Sequence, residues 1–188
     1  METAWLPSSL GGDPDEAARR AVAWLGQKRG VLVCYSMTGP VPAILSGFDR
    51  ATGRTRSKPH GPTVALLPSF ENLRLAVRLS QGRPLAVIEW EAVPLRGWAA
   101  GVGAWNLATD GPTAPLSDEL EKDIDRLVRN GNNGYGAGFG RTQARSALAS
   151  MLQRGRLDRD LIMGAVFATN RVSPRGIERL GKLIDTVR

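Results

Sequence analysis

The chain has 188 residues, 42% of them hydrophobic, which is enough to bury the core of one domain, or of one domain with a helical appendage, without disulfide support. A single cysteine and a single histidine exclude an internal disulfide and a zinc cluster, and they disfavour a catalytic triad. The formal charge is +7, and nearly all of the excess lies in residues 141–188, which contain 10 Lys and Arg but only 4 Asp and Glu. No apolar run approaches the ~18 residues that cross a bilayer, and the first residues lack the pattern of a secretory signal, so we expect a cytoplasmic protein without a membrane partner.

Helix and strand signals alternate along the first third of the chain. Asp13-Pro14 predicts a helix start, and apolar residues recur at helical spacing from there to Gly26. The short apolar runs 31–35 and 64–67 predict buried strands. The segment 39–48 contains two prolines and two glycines, so the pattern does not assign it.

The second apolar strand begins a βαβ unit. Ser69 predicts the N-cap of a helix that ends at Gly82, and residues 84–90 predict the third strand. The parallel strands of such a unit are covered by helices on both faces. Residues 49–63, by contrast, contain no apolar residue larger than alanine and have a local charge of +3, so we expect a mobile basic loop that either orders on phosphates or stays solvated.

The last third of the chain is helical in its pattern. The apolar segment 98–108 fits either a buried helix or a fourth strand. Helical signals then follow at 118–130, 141–153, 158–169 and 174–187. A glycine-rich loop at 130–140 separates the first two of these helices. We therefore predict an α/β fold in which a small, mostly parallel sheet is flanked by helices and followed by an all-helical C-terminal part. The predicted domains are an α/β domain at 1–115 and a basic helical domain at 116–188.

The C-terminal segment Val-Ser-Pro-Arg-Gly-Ile-Glu-Arg-Leu, residues 172–180, follows an apolar helical stretch. Ser173 suits an N-cap, and Pro174 suits the first turn of the last helix. Residues 158–187 thus resemble a helix-turn-helix, in which the second helix enters a DNA groove. A helical hairpin that closes the fold is the alternative interpretation.

The resemblance to a helix-turn-helix implies roles for individual residues of the last helix. Its apolar positions are expected to pack on the preceding helix, and its cations Arg175, Arg179 and Lys182 are expected to face DNA. Gly176 departs from a good helix sequence, because glycine costs about 1 kcal/mol relative to alanine inside a helix.

The glycine-rich loop ends in Gly-Phe-Gly-Arg at residues 138–141. Its backbone at Gly136, Gly138 and Gly140, together with Arg141 and Arg145 on the following helix, is predicted to cradle a phosphate. Gly138-Phe139-Gly140 followed by Ala144 is also similar to a helix-hairpin-helix motif, which implies a grip on the DNA backbone. Tyr135 and Phe139 are expected either to stack on bases or to pin the loop to the core, and a flexible connector is the alternative for the whole loop.

Two carboxylates follow the third predicted strand. Glu89 and Glu91 come at the position where open α/β sheets place their ligand sites, and Arg96 is close by in sequence. Residues separated by one position on a strand point to the same face, so these carboxylates are candidates for binding a metal or sharing proton transfer. No further acidic cluster completes such a site.

The leading hypothesis is a nucleic-acid-binding protein, with DNA as the expected partner, that uses its basic C-terminal helices. The binding residues are predicted to be Arg141, Arg145, Arg175, Arg179 and Lys182. One alternative is a small enzyme that acts on a phosphate-containing substrate near Glu89 and Glu91. Another is an interaction module of a larger complex, in which tryptophans and segment 98–108 form a partner surface. We expect no cofactor and no resident metal.

Overall fold

The computed structural model describes residues 1–8, 13–55 and 59–187. The chain forms two compact units. Unit 1 comprises Met1–Pro94 and Gly103–Thr113, and unit 2 comprises Leu95–Val102 and Ala114–Arg188. The predicted α/β fold is confirmed, with a mostly parallel sheet and helices in unit 1 and a helical C-terminal region in unit 2.

In unit 1, the residues that the structure describes form a seven-stranded sheet. Its strands are β1 (Thr3–Leu6), β2 (Val31–Val33), β3 (Asp49–Ala51), β4 (Thr63–Leu66), β5 (Leu85–Ile88), β6 (Trp105–Asn106) and β7 (Gly111–Pro112). They are ordered β3-β2-β4-β5-β1-β6-β7, and only the pair β6–β7 is antiparallel. Helices α1 (Pro14–Leu25) and α2 (Phe70–Ser80) connect the parallel strands, and a 3-10 helix spans Ala43–Leu45.

Both faces of the parallel strands are buried, as the βαβ pattern requires. On one face, alternate strand residues such as Leu32, Val64 and Ala86 join α1 and the 3-10 helix in a single apolar cluster. The intervening residues, such as Val33 and Val87, are also fully buried, and α2 packs on β2, β4 and β5. The sheet is therefore a rigid platform whose strand ends carry the loops of unit 1.

The described residues of unit 2 form five helices. These are α3 (Arg96–Val102), α4 (Asp118–Asn130), α5 (Phe139–Gln153), α6 (Arg159–Ala168) and α7 (Pro174–Asp185). Glycines permit α3 and α6 to touch through their backbones, because a Cβ on Gly97 would overlap the carbonyl oxygen of Leu161 and a Cβ on Gly164 would lie 2.6 Å from the backbone nitrogen of Trp98. In the part of the chain that the structure describes, no helix is long and apolar enough to cross a membrane.

The elements with strong local signals are confirmed. Helix α1 has Asp13 as its N-cap and Gly26 in the left-handed conformation at its end, and α2 is capped by Ser69. Strands β4 and β5 are adjacent and parallel on either side of α2, which is the predicted βαβ unit. The ambiguous segment 98–108 divides into the end of α3 and the short strand β6.

The prediction of a mobile loop over residues 49–63 is wrong at its first residues. Asp49–Ala51 form the edge strand β3, which is parallel to β2, and Ala51 is fully buried. A three-residue strand needs no apolar run of its own when a neighbouring strand supplies its hydrogen bonds. Arg50 donates to the carbonyl oxygens of Met37 and Gly39, both at 2.9 Å, so it stabilises the loop that follows β2. The predicted basic residues Arg56 and Lys58 lie outside the described residues.

Candidate functional site

The loop between α4 and α5, residues 131–138, is anchored by Tyr135. This residue adopts a left-handed conformation (φ 57°), and its side chain is only 3% exposed. Its hydroxyl donates to the carbonyl oxygen of Leu127 at 3.0 Å, in the last turn of α4, where helical geometry leaves carbonyl groups without regular partners. Burial raises the pKa of the Tyr135 phenol. Of the two expectations for Tyr135, the structure shows the one in which it pins the loop to the core.

The same loop packs directly on the first turns of α7. A Cβ on Gly176 would lie 2.7 Å from Cγ1 of Val172 and 3.2 Å from Cα of Gly134, so no larger residue fits there. Glycine at position 176 lowers the helix propensity of α7, but it is the residue that permits the backbones of α7 and loop 131–138 to make contact. Ser173 caps α7 as predicted, since its hydroxyl accepts from the backbone N–H of Gly176 at 3.1 Å.

A pocket of about 340 Å³ lies where the loop, α5 and α7 meet. Three of its lining residues are cationic, namely Arg141, Arg179 and Lys182, and the others are Tyr135, Gly136, Ala137 and Leu183. The Arg179 guanidinium extends along the loop, with its Nη1 atom 3.7 Å and 3.9 Å from where a Cβ would stand on Gly134 and Gly136. The described lining contains no carboxylate, so the pocket is suited to an anion.

The other two predicted cations extend this region along the helices. Arg145 follows Arg141 by one turn on α5, and Arg175 precedes Arg179 by one turn on α7, so each pair lies on one helix face. All five side chains are exposed. We call Arg141, Arg145, Arg175, Arg179 and Lys182 the cationic surface.

Ion pairs in unit 2 are made by other arginines. Arg154 donates two hydrogen bonds to the buried carboxylate of Asp123, at 2.8 and 2.9 Å, and Arg159 binds Asp185 at 3.1 Å. Two further pairs are Arg156–Glu119 and Arg96–Asp158.

Among residues 1–8, 13–55 and 59–187, no carboxylate lies within ion-pair distance of any member of the cationic surface. Glu178, which lies between Arg175 and Arg179 in sequence, makes no such pair either. The positive charge of this surface is therefore not neutralised within the described chain.

The backbone of Gly138 and Gly140 plays a structural part in the loop. Gly138 has φ 117°, which strongly favours glycine, and it immediately precedes α5 without a side-chain cap. A Cβ on Gly140 would lie 2.7 Å from the carbonyl oxygen of Asn130, so Gly140 permits α5 to begin beside the end of α4. Phe139 is 78% exposed at this helix start and remains available for stacking.

Unit 1 has a separate pocket of about 250 Å³ at the carboxyl ends of β1, β4 and β5. The carboxyl ends of the strands are the edge of an open α/β sheet at which ligands bind. We call this cavity the strand-end pocket.

Glu89 and Glu91 both line the strand-end pocket, although β5 ends at Ile88 and neither carboxylate lies on the strand. Glu89 is 8% exposed, and it accepts hydrogen bonds from Nε1 of Trp5 at 2.7 Å and from the Ser8 hydroxyl at 2.9 Å. Arg96, the third residue of that predicted set, is in unit 2 and pairs with Asp158. Nowhere in the described ranges do three or more His, Cys, Asp or Glu residues form a group that is able to hold a metal ion.

Sequence reasoning missed β1 and with it two partners of Glu89. Strand β1 is only four residues long, and neither the indole nor the hydroxyl that meets Glu89 is marked by any motif.

Comparison of the chain with protein-family models, curated proteins and solved structures finds no match.

Proposed function

We propose that unit 2 binds nucleic acid, with duplex DNA as the preferred partner, and that the cationic surface contacts the phosphate backbone. The observation that carries this proposal is the convergence of Arg141, Arg179 and Lys182 on one pocket whose described lining contains no carboxylate. Cations that are not paired within the protein release the counterions of a polyanion on binding, and this release drives association.

The geometry of α7 supports this proposal. Ile177 and Leu180 are fully buried, which fixes the helix on the unit and leaves Arg175, Arg179 and Lys182 along its exposed side. With ~1.5 Å of rise per residue, these three cations span roughly 10 Å of helix, a length suited to contacting more than one phosphate.

Loop 131–138 covers one side of the start of α7 through the contact between Gly134 and Gly176. The first residues of a recognition helix normally approach base edges. Since part of that end is occupied by the protein's own loop, we propose that phosphate contacts dominate and that binding depends only weakly on base sequence.

The test is fluorescence anisotropy with a labelled duplex of about 20 base pairs, titrated at several salt concentrations. Binding that engages about four phosphates has a slope of log affinity against log salt near −3.6. The double variant R179A/K182A is expected to weaken binding by about tenfold at low salt and to reduce the slope by about 2.

The matched control is K122A/R126A on α4. It also removes one lysine and one arginine from exposed positions of unit 2, but these lie on a helix with five acidic residues. This control is expected to change affinity by less than threefold. Equal losses in the two double variants would indicate a non-specific charge effect, and an affinity that does not change with salt would exclude the proposed function. Labelled single-stranded DNA and duplex RNA of equal length identify the preferred form.

A further inference from the structure

The strand-end pocket has a charge opposite to that of the cationic surface. Its lining includes the carboxylates of Glu89 and Glu91, and no Lys or Arg is among the described residues that form it. The undescribed residues 9–12, which follow β1 in sequence, are Ser, Leu, Gly and Gly and carry no charge. A ligand at this site therefore meets a negative potential.

The N-terminus of α1 does not reverse the negative potential of the strand-end pocket. Pro14 and Ala17 line the pocket, and a bare helix N-terminus attracts anions. Here the Asp13 carboxylate accepts the N–H of Asp15 at 2.9 Å, and the first turn contains Asp15 and Glu16 as well. These acids compensate the helix dipole, so a phosphate is disfavoured at this end of the sheet.

The pocket combines a fixed acceptor with an aromatic side chain and apolar walls. Hydrogen bonds from Trp5 and Ser8 hold the Glu89 carboxylate in place before any ligand arrives. Trp90 is 49% exposed beside it, and an indole face attracts cations. Leu6, Leu66 and Ile88 supply apolar contact for a short chain.

We propose that the strand-end pocket binds a small organic cation, namely a guanidinium or primary ammonium group on a short aliphatic chain. Glu89 and Glu91 accept hydrogen bonds from the cationic head, and Trp90 covers it from the solvent side. The aliphatic chain lies against the apolar wall. This site is independent of the nucleic-acid function proposed for unit 2.

The test is isothermal titration calorimetry of the full chain with three probes of similar size. These are 1-butylguanidinium, its neutral near-isostere N-butylurea, and monobutyl phosphate. Saturable binding of 1-butylguanidinium is expected, with N-butylurea at least tenfold weaker and monobutyl phosphate not bound, because charge-assisted hydrogen bonds are roughly twice as strong as neutral ones.

Three variants assign the interaction to residues. E91Q, at an exposed position, is expected to weaken 1-butylguanidinium binding about threefold, and E89Q at least tenfold because its carboxylate is buried. W90L is expected to cost about threefold. E71Q removes an exposed carboxylate from the first turn of α2, away from the pocket lining, and serves as the matched control with unchanged affinity.

Several outcomes overturn the proposal. Equal affinities for 1-butylguanidinium and N-butylurea would show an apolar pocket without charge recognition, and tighter binding of monobutyl phosphate would reverse the assigned ligand class. Absence of saturable binding of 1-butylguanidinium up to roughly 10 mM would exclude the site. If E89Q fails to fold, E91Q and W90L still decide, since unchanged affinity in both contradicts the proposal. None of these outcomes bears on DNA binding by R179A/K182A.

Discussion

The two units use their charged side chains in opposite ways. In unit 1, the carboxylate of Glu89 is held at a strand end by an indole N–H and a hydroxyl. In unit 2, the buried carboxylate of Asp123 is held by the guanidinium of Arg154, and other acids of the unit pair with other arginines. The cations of the cationic surface are exposed on α5 and α7 and make no such pair within the described chain.

This difference shows that the net charge of a site depends on which charged side chains are already paired within the protein. Unit 1 contains 11 Lys and Arg and 9 Asp and Glu, yet the described lining of its strand-end pocket is acidic. Unit 2 contains 14 Lys and Arg and 9 Asp and Glu. Its ion pairs engage acidic residues with arginines outside the cationic surface, which stays unpaired within the described chain. Composition therefore indicates the charge of a region, and pairing decides where that charge remains available.

The largest expected effect concerns how unit 2 is packed. G97A places a methyl group on the Leu161 carbonyl oxygen at the crossing of α3 and α6, and neither backbone is able to yield without breaking helical hydrogen bonds. We expect a loss of about 3 kcal/mol or more in the free energy of unfolding, measured by urea denaturation.

The control for G97A is G53A in unit 1. A Cβ on Gly53 meets no atom within 4 Å, so this variant is expected to change stability by less than about 0.5 kcal/mol. If both variants lose the same stability, the close approach of α3 and α6 does not limit side-chain size at Gly97.

The next effect tests the role of a paired arginine. R154A leaves the Asp123 carboxylate buried without its two hydrogen bonds, and the expected cost is about 2 to 3 kcal/mol in the free energy of unfolding. Binding of duplex DNA by the folded protein is expected to keep its salt slope, because this cation is already engaged. A reduced salt slope in R154A would contradict the distinction between paired and unpaired arginines.

Tyr135 gives a smaller effect with a defined pH dependence. Y135F removes the hydrogen bond to Leu127, and we expect a loss of about 1 to 2 kcal/mol at neutral pH. Burial raises the pKa of the phenol in the folded state, so its contribution to stability is fully present below the ordinary pKa near 10 and is lost as pH rises toward the folded-state pKa.

Urea denaturation of both proteins between pH 8 and pH 11 measures this contribution. The stability advantage of wild type over Y135F is expected to shrink above pH ~10, because only the wild-type unfolded chain ionises at residue 135. A constant difference across this range would mean that the phenol is not protected by burial.

The smallest expected effect on stability belongs to an unpaired cation. R175A, at an exposed position of α7, is expected to change the free energy of unfolding by less than about 0.5 kcal/mol while reducing the salt slope of DNA binding by about 1. Anisotropy and urea denaturation on the same preparation check both parts. A stability loss as large as that of R154A would mean that Arg175 has a structural partner.

Much of the fold follows from local sequence chemistry. Asp13, Ser69 and Ser173 each cap the helix that their position predicts, because an N-cap depends on neighbouring backbone alone. Strands β2, β4 and β5 are short apolar runs, and the parallel pairing of β4 with β5 follows from helix α2 between them. The resemblance to a helix-turn-helix implies the site residues Arg175, Arg179 and Lys182 on α7, and the position just after the glycine-rich loop indicates Arg141 and Arg145 on α5.

Only the tertiary structure determines where the short strands form, which glycines make close contacts and whether each charged side chain is paired. Asp49–Ala51 become a strand only because β2 lies beside them, and Gly176 is explained only by Gly134, which is distant in sequence. Likewise, no local pattern distinguishes Arg154, which binds Asp123, from Arg179, which lines the anion-suited pocket. The sequence by itself determines which segments become helices and where basic residues concentrate, because these properties depend on neighbours along the chain. Whether a charge is paired or available depends on residues brought close by folding, and only the three-dimensional structure contains that information.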